Sequence, residues 1–312
     1  MNIAKELPRD VFIDVVLEEL PRNPNLYFIS ADLGAKALDR FRVEAKKQFI
    51  HAGISEQNMI DVAAGLALEG KLVYVYAMAP FVTLRCYEQI KVALASMRLP
   101  VTIIGVGVGY SYDDAGPTHY ATEDISCMRA LGGIEILTPS DTRSVAETAR
   151  LTFLRPALRY IRLDRTFLPD VYGEGDRRFL DEGIVEIEKG KEVCIVTSGF
   201  MVQKARAVRD RLLETGIAVG VVDLFCLKPI RLDAFRAALE SYDRLVTVEE
   251  HFLSGGMGSA VLEALADAGM QKKVLRLGVQ DQYYFENGGR QHLHKLADLD
   301  VESIANRIRK FL

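Results

Sequence analysis

KLVYVYAM at 71–78, RCYEQIKVALASMR at 85–98 and VTIIGVGVG at 101–109 decide the fold class. The outer two runs are short and rich in β-branched and aromatic residues, as strands are. The middle run has helical apolar spacing. The same alternation continues on both sides. Upstream, DVFIDVVLEELP at 10–21 reads as a helix, and LYFISADLG at 26–34 as a strand stopping at Asp32 and Gly34. QFIHAGISEQ at 48–57 then leads into a helix, NMIDVAAGLALEG at 58–70, which closes on Gly70. Downstream, a helix near 122–131 precedes a strand in IEILTPSD at 134–141. Strands alternating with helices predict a mostly parallel sheet covered on both faces.

A polar, Gly-containing stretch, DVYGEGDRRFLDEG at 170–183, interrupts the pattern. The alternation then restarts with EVCIVTSG (192–199), a helix over 200–216, and strands in IAVGVVDLF (217–225) and RLVTVEE (244–250). A helix in GMGSAVLEALADAG (256–269) and a last one at about 300–311 follow. The expected architecture is α/β, in two domains, each a mostly parallel sheet flanked by helices. The first spans 1–172, a linker 173–190, and the second 191–312.

Composition narrows the function. The chain has 312 residues, 49% hydrophobic and 26% charged, with a formal net charge of −4. The two signs are interspersed, so no basic stripe suits nucleic acid or a membrane surface. No apolar run is long enough to span a bilayer. MNIAKELPRD at 1–10 lacks the apolar core of a signal peptide. The cysteines, Cys86, Cys127, Cys194 and Cys226, form neither a CxxC nor a metal-ligand spacing, which fits reduced thiols in the cytoplasm.

Ligands of open α/β sheets sit at the carboxyl ends of strands. Three segments put polar residues there: AGISEQN at 52–58, YAMAPF at 76–81 and DDAGPTHYATED at 113–124. Alone, Glu56 is most simply a glutamate complementing a helix dipole, with Ser55 near the cap. Alone, His119 is a loop histidine of the hydrogen-bonding or surface kind. GVGVG at 105–109 lacks both a Walker lysine and the GxGxxG spacing of a phosphate loop.

In order, however, GISEQNMIDVAAGLALEGK, APFVTLRCYEQIK and GPTHYATEDISCMRALGGIEILTPSD resemble the pyrimidine-binding domain of the transketolase family. VEEHFLSGGMGSAVLEAL at 248–265 resembles that family's C-terminal domain. The resemblance covers nearly the whole chain and begins where the middle of a full-length transketolase would lie. It implies a transferase of two-carbon ketol units between sugar phosphates that uses thiamine diphosphate. By the same resemblance, Glu56 is the acid that hydrogen-bonds N1′ of the aminopyrimidine. Phe81 stacks on that ring, and Met78 stands where many relatives carry a second Phe. Arg85 and Tyr87, a helical turn or less away, belong to the cofactor's surroundings. His119 matches a histidine near the donor's hydroxyls and the reacting carbon, and Arg40 and Arg165 match arginines that grip a sugar phosphate. Taken singly, each arginine reads as a surface ion-pair residue.

Two positions depart from the family pattern. Ala115 stands where an aspartate usually reads a substrate hydroxyl, and Gly107 where a histidine usually lies. Both changes are expected to remove polar contacts near the substrate. The chain also lacks the GDG…Asn segment through which the family holds magnesium and the diphosphate. The resemblance therefore implies a separate diphosphate-binding partner subunit that supplies the metal ligands, in an α2β2 assembly. Two other readings are the β subunit of a 2-oxo-acid dehydrogenase-type E1 component, passing an acyl group to a carrier, and a non-catalytic regulatory subunit. The GPTH loop argues against the former, and Glu56 against the latter.

Overall fold

The computed structural model describes residues 6–33 and 36–312. The sequence expectation of a stop at Gly34 lies outside them, as do residues 1–5. Strands β1 (Leu26–Ala31), β2 (Phe49–Gly53), β3 (Leu72–Met78), β4 (Val101–Val106), β5 (Glu135–Leu137) and β6 (Arg159–Leu163) come first along the chain. β7 (Val185–Glu188), β8 (Val193–Thr197), β9 (Val219–Asp223), β10 (Cys226–Lys228), β11 (Arg244–Phe252) and β12 (Lys273–Val279) follow. They form a seven-stranded sheet, β10-β5-β6-β4-β3-β1-β2, and a five-stranded sheet, β12-β11-β8-β9-β7. Among these strands only the pairs β10–β5 and β7–β9 are antiparallel.

Every residue of β4 is buried, as the centre of a doubly covered sheet requires. One face of the first sheet packs Phe28, Tyr74 and Ile161 against the helices Pro8–Glu19 and Thr142–Leu154. The other face packs Ile29, Val75 and Ile103 against the helix Glu56–Leu68, in a core that continues to Val196, Leu224 and Phe235. The two sheets thus share one apolar interior.

The stretch 173–190, expected as a linker, carries a short helix, Arg178–Glu182, and strand β7. Phe179, Leu180 and Val185 bury against Phe225, which makes the stretch part of the second unit. β10 returns from the second unit to close the far edge of the first sheet. No sequence pattern foretold this, because three residues carry too little periodicity.

The junction between the units is polar. Asp141 caps the helix Thr142–Leu154, and its second oxygen accepts from Val171 N and Tyr172 N at 2.8 and 2.9 Å. The Tyr172 hydroxyl donates to Asp223 Oδ2 at 2.6 Å. Burial pushes the Asp223 carboxyl up to about 7, although hydrogen bonds from Ser140 and Tyr172 oppose the rise. The folded chain therefore holds a proton there that the unfolded chain releases near 3.8. This contribution to stability is complete at acid pH and is lost as pH rises through 7. Asp223→Asn should therefore gain on the parent by on the order of 1 kcal/mol per pH unit between about 5 and 7. Urea midpoints compared across that range test this; parallel curves for the two proteins would assign the proton elsewhere.

Candidate active site

Each sequence-predicted segment leaves the carboxyl end of a strand of the first sheet, and the strand order sets their neighbours. Glu56 follows β2. It opens the helix Glu56–Leu68, with Ser55 at the N-cap position. Ser55 makes no capping bond; its hydroxyl turns back to Ala52 O. Glu56 is only 5% exposed, and its Oε2 accepts from Arg85 Nη1 at 2.7 Å. A glutamate that merely complements a helix dipole has no need to leave water, so this burial asks for another reason.

Phe81 and Arg85 follow β3. Residues 81–85 wind as a π-type turn, a form that often marks functional positions. This winding stacks the Arg85 guanidinium over the Phe81 ring, 4.4 Å from its centroid. Both side chains line an open hollow with Pro117, Thr118, Tyr283 and Phe285. Met78 instead packs against the core beneath the first sheet. Tyr87 packs on the opposite core and lines a different hollow, with Lys91 and Arg98.

His119 follows β4. Its ring meets Phe81 edge-on at 5.2 Å, and its Nδ1 shares a 2.9 Å hydrogen bond with the Thr118 hydroxyl. Arg165 follows β6. It does not touch His119 directly in this array: Tyr112 lies between them, its ring 6.0 Å from that of His119 and 4.3 Å from the Arg165 guanidinium carbon. The result is one continuous run, Glu56–Arg85–Phe81–His119–Tyr112–Arg165, along the carboxyl edge of β2, β3, β4 and β6. Arg40 is engaged differently. It lies on the helix Lys36–Glu44, 45% exposed, and pairs with Asp14 at 2.5 Å and Glu44 at 3.1 Å.

The structure corrects the expectation for Gly107. That position has not simply lost a polar side chain. Gly107 has φ +82°, and a Cβ added there would fall inside the Tyr112 ring. Tyr112 occupies the space. Ala115 is exposed on the same loop.

The loop and Arg165 are fixed from the second unit by Arg290, which sequence reading missed. Its guanidinium donates to Asp164 Oδ2 at 2.7 Å and to Glu250 Oε1 and Oε2 at 2.8 and 2.6 Å. Its backbone N–H donates to Asp113 at 2.8 Å, beside Tyr112. Asp164 in turn accepts from Ser111 Oγ, which accepts from Arg165 N, both at 3.1 Å. Burial would raise the Glu250 carboxyl, but Arg290 and His294 outweigh it and hold it well below the usual carboxylate range. Asp124, the last residue of the GPTH-x3-ED pattern, is likewise buried, accepting from Arg162 Nε and Tyr160 OH at 2.7 Å each. Its task here is structural.

Known proteins share both units of this chain. Residues 8–170 match the transketolase pyrimidine-binding domain family and residues 183–304 the transketolase C-terminal domain family. One of the two subunits of the apulose-4-phosphate transketolase of Phocaeicola vulgatus is 32% identical over 97% of this chain and 97% of its own length. 1-Deoxy-D-xylulose-5-phosphate synthase of Thermomicrobium roseum is 34% identical over 97% of this chain, which spans 48% of that longer protein. Among solved structures, a split-gene transketolase described as an inactive β4 tetramer superposes with a TM-score of 0.85. It is 29% identical, with 97% of each chain covered.

Proposed function

The chain belongs to the transketolase family, and on that premise we propose that it is the pyrimidine-side subunit of a split enzyme that transfers a two-carbon ketol unit between sugar phosphates. The observation that carries this reading is the unbroken run from Glu56 to Arg165. It offers a buried carboxylate and an aromatic face at one end and a guanidinium at the other.

The residues fit an aminopyrimidine. A planar group with N–H donors already lies on the Phe81 face and donates to Glu56, namely the Arg85 guanidinium. A flat heterocycle needs the same two contacts. Thiamine diphosphate, when bound, supplies the electron sink for breaking a bond beside a carbonyl. Glu56 holds the proton at N1′, Phe81 presents its face, and Arg85 keeps the Glu56 carboxylate in place. Met78 and Tyr87 contribute from the packing on either side of that turn. His119 has its Nδ1 engaged by Thr118, which directs Nε2 to a substrate hydroxyl. Arg165 grips the substrate phosphate with its fixed fork of donors, loosely held at present by exposed Asp114 at 3.7 Å. Arg40 joins only if phosphate replaces Asp14 and Glu44.

Magnesium and its ligands come from the partner in this reading. Among the described residues no three His, Cys, Asp or Glu side chains gather closely enough to hold an ion. The family likeness supports a diphosphate-binding subunit and an α2β2 assembly in the cytoplasm. No described helix is long and apolar enough to cross a membrane. Purified alone, the chain should show no tight magnesium-dependent binding of thiamine diphosphate and no turnover. Titration calorimetry is the test, and stoichiometric tight binding by the lone chain would overturn the split-site reading.

A further inference from the structure

Tyr112 is the unassigned member of the run. Its ring is buried, yet the residues around it are those proposed to meet the substrate. It fills the volume that any side chain at position 107 would take. One neighbour is His119, at 6.0 Å between ring centroids. The other is Arg165, whose guanidinium lies flat enough on the ring for its carbon to be 4.3 Å from the centroid. Among the described residues Arg165 has no other close anchor for its head group. Its one ion pair there, with Asp114, is 3.7 Å long, and Asp114 is 80% exposed. A long, part-exposed arginine loses rotamer entropy in holding one geometry, and an exposed ion pair of that length offsets little of it. An aromatic platform does more, because it fixes the plane of the fork.

We infer that Tyr112 is a positioning and specificity residue: its ring, admitted by the missing side chain at Gly107, holds the Arg165 guanidinium in place for a phosphorylated substrate. This rests on the proposed role of Arg165. The face of the ring is what matters, so the phenolic hydroxyl is dispensable. That hydroxyl is buried without a hydrogen-bond partner among the described residues. Two consequences separate this from general packing. The effect falls on KM and not on kcat, since the reacting carbon lies at the His119 end. It also falls on phosphorylated substrates alone.

The experiment uses the complex with its diphosphate-binding subunit, with D-xylulose 5-phosphate and unphosphorylated D-xylulose as probe donors. Tyr112→Leu should raise KM for the phosphorylated donor about tenfold, in line with a stacking contribution of ~1 kcal/mol. Values for D-xylulose should stay within about twofold of the parent. Tyr112→Phe, which keeps the face, should restore the parental KM. Arg165→Lys provides a second arm at a surface position, where folding is not at stake. If stacking holds the fork, lysine should behave nearly as badly as Arg165→Ala, although the charge is kept. A lysine that restores KM, or an unchanged KM in Tyr112→Leu, overturns the inference. A flat response to Arg165→Ala itself would instead remove Arg165 from phosphate binding, and so separates failure of the underlying reading from failure of this one.

Discussion

Glu56→Gln should cut kcat by about 10²–10⁴-fold while leaving the fold and the partner interface intact. The side chains have nearly the same shape and volume, so the Arg85 contact at 2.7 Å can persist through the amide oxygen. What the amide cannot do is share a proton with N1′ of the aminopyrimidine. Positioned proton transfer has the magnitude quoted, and an uncharged amide forfeits it. A glutamate that only complements the helix dipole behaves otherwise. Its loss costs about 0.3–1 kcal/mol of stability and leaves the chemistry alone. The discriminating measurement is hydrogen–deuterium exchange at C2 of thiamine diphosphate in the reconstituted complex, beside a thermal melt. Near-normal exchange with a slightly lowered melting temperature would take Glu56 out of the mechanism.

Much of the architecture was legible because it rests on local patterns. The apolar runs of β3 and β4 and the helix stops at Gly70 and Gly216 depend only on near neighbours in sequence. Glu56, Phe81 and His119 were legible for a related reason: each lies just past a strand end, where the topology of a parallel sheet gathers ligands. What stayed hidden depends on distant residues. Tyr112 reads as one more aromatic in a loop, and only the left-handed backbone at Gly107 signals that something packs close against it. β10 is too short to show a period, and its pairing with β5 joins residues 226 and 137. Arg40 shows the opposite hazard. In sequence it is a candidate phosphate ligand, whereas in the fold its guanidinium lies between Asp14 and Glu44. Whether an arginine is committed or free is a tertiary fact.

Arg290→Met should destabilise the chain by about 3–5 kcal/mol, the largest stability effect expected of any single change here. The guanidinium is buried and faces two carboxylates that are also buried, Asp164 in the first unit and Glu250 in the second. It also lies over the Phe200 ring at 3.5 Å. Methionine fills most of the volume, so a cavity is not the cause. The cost comes from leaving two buried anions without their shared cation. His294 can offset part of it. Burial lowers its affinity for a proton, Glu250 opposes that, and Lys204 and Arg290 add to it. Without Arg290, one repulsive charge is gone and the attraction of Glu250 remains, so His294 should take up a proton more readily. The deficit of the variant should therefore shrink as pH falls from 8 to about 6. Arg290→Lys should fall between, since it restores one charge but not the fork that reaches both carboxylates. Urea unfolding across that pH range measures all three proteins. A loss under about 1 kcal/mol for Arg290→Met, or a deficit indifferent to pH, would show that the two units are held by their shared apolar core alone.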